Sequence, residues 1–250
     1  MDTRGTDMFA RYAHAPNHLG YCGPPEADAL RTGSPDQVRA LARRFSGAWP
    51  YLRVMADMTG IADPLDYRLV ESYWLGGGIG AQLDRGDFTA HLLAMITPLA
   101  GQYWSHLTAD LATESAPNHC FHVFGVYPWS RFLGRGMDDH PIHVLDSCRI
   151  SWATLVHRNG KDLTILGPRL LWDHAGLRLS DPSVRHIECD DFGIEPALRI
   201  GDQVAVHWDR LCGRLEPAQV HDLQASTERQ LFVTNHRLAE QHSPPRGSPM

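Results

Sequence analysis

Two residues in the carboxy-terminal half, Cys148 and His207, carry side chains suited to metal chemistry. A thiolate and a neutral imidazole both ligate borderline or soft metal ions, and each can act alone as nucleophile, acid or base. Arg149, next to the thiol, is expected to lower its pKa. A plainer reading packs Cys148 as a small hydrophobe on one strand face with Ile150 and Trp152. A second constellation lies in APNHCFHVFGVYPW, which gathers His119, Cys120 and His122. If this segment is extended, Cys120 and His122 share a face and His119 points away; if it is helical, His119 and His122 are neighbours. Phe121, Val123, Phe124 and Val126 equally suit a core with the histidines as hydrogen-bonded caps, and no HExxH or zinc-ribbon spacing is present. A third stretch, PNHLGYCGPPE, reads as a loop displaying Asn17, His18, Tyr21 and Cys22 for ligand contact, or as a plain turn with Tyr21 tucked into a helical bundle. His207 and Asp209 form a same-face pair only if their strand persists, and no G-x-S-x-G elbow supplies a nucleophile.

These residues have to be positioned by two kinds of element. The amino-terminal half reads as helices. Ser34, Pro35 and Asp36 open one over residues 34–46, with Val38, Leu41, Ala42 and Phe45 as its apolar stripe. PYLRVMADMTG forms another that stops at Gly60. A third is expected to start at Asp63-Pro64, bury Leu65, Leu69, Val70 and Tyr73, and end in Gly76-Gly77-Gly78. That glycine run lacks the lysine, the Ser or Thr and the preceding strand of a phosphate loop, so it reads as a helix stop. A long helix from Asp87 to about Thr113, bent at Pro98, follows.

After residue 140 the apolar period becomes alternating. Positions 148, 150, 152, 154 and 156 share a face, Asn159-Gly160 suits a type I′ turn, and Leu163 and Ile165 return on the partner strand. RLLWD, GLRLS, VRHIEC and QVAVHW suggest further short strands and a small barrel. Pro217 then opens a helix with Val220, Leu223, Thr227 and Leu231 as its docking stripe. The expected class is α+β: a helical domain over 1–140, a small OB-like β-barrel with a C-terminal helix over 141–241, and a disordered tail over 242–250.

The formal charge of −6 argues against a broad electrostatic grip on nucleic acid or anionic lipid. HLLAMITPLAG is too short to span a bilayer, and the start has no apolar signal core. The five cysteines are odd in number and contain no C-x-x-C pair, which suits free thiols in a reducing cytosol. A soluble, cytoplasmic protein whose partners are proteins or small molecules is expected.

The order of these features, a cysteine entering a hairpin and then RIGDQVAVHWDRLCGRLEPAQVHDLQ, resembles the small HypC-type chaperones of [NiFe] hydrogenase maturation. The matching positions are Cys148, Gly201, Asp202, Val204, Val206 and His207, with Leu215 and Glu216 opening the helix. The resemblance implies an OB-like barrel whose cysteine, assisted by the histidine, handles an iron centre carrying cyanide and carbon monoxide. It also implies a protein client, a hydrogenase large subunit or a maturation factor. The resemblance covers roughly the last 100 residues. FARYAHAPNHLGYCGP and FHVFGVYPW resemble an uncharacterised bacterial family. The expected function is therefore an accessory role in metalloenzyme maturation through Cys148 and His207. The alternative is a metal-dependent enzyme whose pocket is lined by His18, His119 and His122.

Overall fold

The structure is a computed structural model and describes residues 2–25, 28–99, 106–189 and 198–242. It has the expected α+β class. Helices α1 (Arg4–His18), α2 (Asp28–Thr32), α3 (Pro35–Ala42), α4 (Ala48–Thr59), α5 (Tyr67–Leu75) and α6 (Arg85–Ile96) pack around one apolar core. Ser34 opens α3 with a full capping box, its side chain accepting from the Gln37 N–H while the Gln37 side chain accepts from the Ser34 N–H. Gly60 ends α4 in the left-handed conformation, as expected.

Two helix boundaries differ from the reading of the sequence. The cap of α5 is Asp66, which accepts from the Arg68 N–H, whereas Asp63 holds the preceding turn and pairs with Arg39. Helix α6 ends at Ile96, followed by a 3-10 turn at Thr97–Leu99, because Pro98 has no N–H to donate and its ring crowds the preceding turn. Residues 100–105 of the long helix expected here lie outside the described residues, and Ala109–Thr113 is a separate 3-10 turn.

The glycine run at the end of α5 has a packing role. Gly76, Gly77 and Gly78 all have positive φ, and a Cβ on Gly77 would fall within 2.1 Å of the Asp222 side chain. Only glycine lets this loop meet α9 (Pro217–His242), the long helix that crosses the helical core with Leu223, Thr227 and Leu231 buried.

The expected hairpin at Cys148 is corrected. Residues Asp139–Cys148 form helix α8, and strand β1 begins only at Ser151 (Ser151–Asn159). Pro141, Val144, Leu145 and Cys148 recur at helical spacing and are buried together on one side of α8, so the helix outcompetes the alternation that begins at Cys148. The interior face of β1 is consequently Ala153 and Leu155, one residue out of step with the Ile150–Trp152 set. The tight turn shifts too: Asn159 pairs with Asp162, so the loop is Gly160-Lys161 with positive φ at Gly160, which suits a type II′ turn.

Strands β2 (Asp162–Gly167), β5 (Ser183–Glu188), β6 (Gln203–His207) and β7 (Arg210–Arg214) complete a closed barrel with β1 in the order β1-β2-β5-β7-β6. All neighbours are antiparallel except β5 and β7, which meet in parallel at Glu188 and Arg210. This is an OB-like arrangement. Leu163 and Ile165 face the barrel interior, as expected. Strands β3 (Leu170–Trp172) and β4 (Leu177–Leu179) stand apart as a hairpin, held to α9 by the Asn235 amide, which both accepts from and donates to the main chain of Leu177. Strand β7 has no alternating apolar signal, since Arg210, Gly213 and Arg214 interrupt it. The tail expected to be disordered lies, from residue 243, outside the described residues. Among the described residues no helix is long and apolar enough to cross a membrane.

Candidate metal centre and its cavity

Three elements from different parts of the chain converge where the helices meet the barrel. Helix α7 (His119–Phe121) is a single turn capped by Asn118, whose side chain accepts from the Phe121 N–H at 3.0 Å. It runs directly into a π-helical turn at His122–Val126. The winding is helical, so of the two orientations open in the sequence, the one making His119 and His122 neighbours holds, with ring centroids 6.0 Å apart. Helix α8 delivers Cys148 from its last residue, and β6 delivers His207 from its end.

His119, Cys148 and His207 are all buried, and their candidate ligand atoms lie within 4.8 Å of one another. Cys148 and His207 therefore do meet, and His119 joins them. The hydrogen bonds bear differently on the two imidazoles. His207 donates through Nδ1–H to the Tyr12 carbonyl at 2.7 Å, which leaves Nε2 as a lone pair with no partner in the protein. His119 donates through Nε2–H to the Cys148 carbonyl at 2.9 Å, so its Nδ1 carries the lone pair, 3.2 Å from the Tyr73 hydroxyl. A ring held by one N–H to a main-chain carbonyl, with the other nitrogen bare, is the outer-shell pattern of metal-ligating histidines, and His207 shows it; His119 reaches it once the Tyr73 hydroxyl turns away from Nδ1.

Burial favours the neutral forms throughout. Desolvation pushes His207 down to about 4 and His119 well below its ordinary value, and it pushes the Cys148 thiol up. The expectation that Arg149 activates this thiol is corrected. The Arg149 guanidinium is fully buried on the Asp146 carboxylate and the Pro168 carbonyl, and Arg169 shares the same carboxylate.

The cluster opens onto a cavity of about 520 Å³. Its walls include Tyr51, Tyr73, Trp74, Tyr127 and Trp129, and it reaches the surface at Tyr21, which is 44% exposed. Tyr21 is not tucked into the bundle but stacks on Trp208, with centroids 3.9 Å apart. Trp208 has φ of 52° and Asp209 φ of 53°, a strained conformation for non-glycine residues. The strand therefore ends at His207, and Asp209 turns away to pair with Arg185, so the His–Asp pair does not form.

The remaining candidates divide. His122 lines the same cavity, wedged between Tyr51 and Tyr127, with its Nδ1 unpaired. Cys22 lines the cavity as well, and burial pushes its thiol up to about 12. Asn17 fastens the loop that carries Cys22 by donating to the Cys22 and Pro24 carbonyls. Cys120 is buried with Val123 and Leu231 and is not in the metal group. His18 is exposed at the end of α1, stacked on His14, and is not among the residues lining the cavity. Tyr51, Tyr73, Trp74 and Trp208 drew no functional reading from the sequence; a helical apolar stripe hides such residues, since core and cavity walls have the same composition.

Two imidazoles and a thiol would suit zinc, copper, iron or nickel, and a set of three protein donors would leave such an ion short of its full complement of ligands. The molecule is thus a helical scaffold and OB-like barrel clasping a buried three-donor cluster. It belongs to a family of unknown function, DUF6390, which matches residues 1–241. No curated protein and no solved structure matches the chain.

Proposed function

We propose that the chain binds a first-row transition metal ion through His119, Cys148 and His207 and that the ion acts on a small molecule admitted to the adjoining cavity. The observation that carries this reading is the convergence of the three donors, each histidine with its second nitrogen committed to a main-chain carbonyl. A cavity far larger than one water beside an incomplete ligand set is the usual arrangement of a catalytic rather than a purely structural ion. The wall of this pocket includes His119 and His122 of the enzyme alternative, with Cys148 and His207 in place of His18.

The meeting of Cys148 and His207 at an OB-like barrel favours a second reading. In it the chain is an accessory protein that carries a metal centre, iron by the resemblance, to a client such as a hydrogenase large subunit. The two readings predict different fates for the ion. Purified protein is loaded anaerobically with iron(II), zinc(II) or cobalt(II), dialysed, and assayed for bound metal. One ion per chain in the wild type, and none in Cys148→Ala or His207→Ala, supports the shared centre; equal metal in all three sinks it. A resident catalytic ion withstands a competing chelator for hours, whereas a cargo ion is released within minutes or on adding a client.

A further inference from the structure

Four buried polar atoms with no partner in the protein belong to residues that line this one cavity: Tyr51 Oη, Trp74 Nε1, His122 Nδ1 and His207 Nε2. Leaving such groups unpaired costs about 1–3 kcal/mol each, so a cavity bordered by four such residues suits a ligand that completes them. His207 Nε2 is accounted for by the metal. Two of the other three, the Tyr51 hydroxyl and the Trp74 indole N–H, are donors. The Trp74 ring lies 4.8 Å from that of His119 and 5.8 Å from that of His207, so a donor-bearing ring borders the metal group directly.

Charge narrows the ligand further. Metal binding displaces the thiol proton, and a divalent ion with one thiolate and two neutral imidazoles retains one positive charge. Among the described residues that line the cavity there is no Asp or Glu to balance it, and no Lys or Arg to hold a second negative charge. An unbalanced buried charge is expensive, and one negative charge removes it.

Resting on the metal reading above, we propose that the open side of the centre takes a small monoanion, bound to the ion through one atom and accepting hydrogen bonds from Tyr51 and Trp74. Dianions such as sulfate, or phosphate above its second pKa, over-compensate the charge and find no cation to receive them.

The test uses the full chain loaded with cobalt(II), whose visible absorption reports its ligands. Azide is the probe, with sulfate and inorganic phosphate as comparators, at a pH where phosphate is the dianion. Saturable spectral change with azide, and none with the two comparators at the same concentration, is the expected result. Tyr51→Phe and Trp74→Phe each weaken azide about 5- to 10-fold, the loss of one hydrogen bond, with cobalt content as the control. Bound cobalt whose spectrum azide leaves unchanged, or changes no more than phosphate does, overturns the inference while leaving the metal site standing. Failure to bind cobalt at all overturns both. The comparison of anions needs only the wild type, so it decides even where a variant does not fold.

Discussion

The main-chain N–H of Trp208 donates to the carbonyl of Ser147 at 2.8 Å. This bond ties the end of β6 to the end of α8, and the residues beside its two ends are His207 and Cys148. It ties donors that are distant in the chain to a common point, and it draws on the strained backbone of Trp208 to do so. The metal cluster is therefore built at a junction between helix and barrel rather than within either.

Two of the buried cysteines, Cys120 and Cys148, are expected to behave oppositely, since only Cys148 is in the metal group. Cys148→Ala abolishes metal retention, a larger effect than the roughly 10- to 100-fold typical of an outer-shell change. Cys120→Ala keeps one metal per chain, because Cys120 is not among the three converging donors. Metal content after dialysis and the thiolate-to-cobalt absorption band separate the two variants.

Gly47 permits the position of His122. A Cβ there would lie 2.9 Å from His122 Nε2, and Tyr51 and Tyr127 pack against the ring that would have to yield. Gly47→Ala is expected to destabilise the fold by about 1–3 kcal/mol. Most of that loss disappears in the Gly47→Ala/His122→Ala double variant relative to His122→Ala, a coupling that urea denaturation of the four proteins measures.

Acid is expected to destabilise the metal-free protein through His122. Burial pushes this group down to about 4 from an ordinary 6.5, so the native state favours the neutral ring. Its contribution is complete above the unfolded value and is lost as pH falls from 6.5 toward 4, where the unfolded chain binds a proton that the folded chain refuses. The slope is at most about 1.4 kcal/mol per pH unit for this one histidine. His106, lowered by the same desolvation, acts in the same direction. Denaturant midpoints across this range should fall more gently in His122→Gln.

Asp146 anchors the segment that presents Cys148. Its carboxylate receives Arg149, just before the barrel, and Arg169 and the Leu170 N–H at the start of β3. Asp146→Ala leaves the Arg149 charge buried without its counter-ion and is expected to cost about 3–5 kcal/mol. Arg149→Met in the same background restores part of that, because the orphaned charge is gone. Thermal melts of the two variants give the order.

Much of the fold was legible because it rests on local rules. The Ser34 cap, the Gly60 stop, the α9 stripe and the Leu163–Ile165 face each follow from a few adjacent residues. The start of the barrel was not, because Cys148-Arg149-Ile150-Ser151-Trp152 satisfies an alternating pattern while Pro141, Val144, Leu145 and Cys148 satisfy a helical one. Which pattern wins depends on what each face meets, and α8 finds a partner cluster in Phe124, Leu170 and Leu231.

The candidate site divides in the same way. Residue types alone singled out Cys148, His207, His119 and His122 as metal-capable, since thiol and imidazole chemistry belongs to the side chain wherever it sits. The chain order could not say that His119 joins Cys148 and His207 while Cys120 and His18 stand aside. Nor could it supply the tautomers, which are set by the carbonyls of Tyr12 and Cys148. Local sequence determines helix caps, strand faces and the supply of donors, because those depend on neighbours along the backbone. Only the tertiary structure decides which donors converge, because convergence depends on the packing of elements that the chain visits far apart.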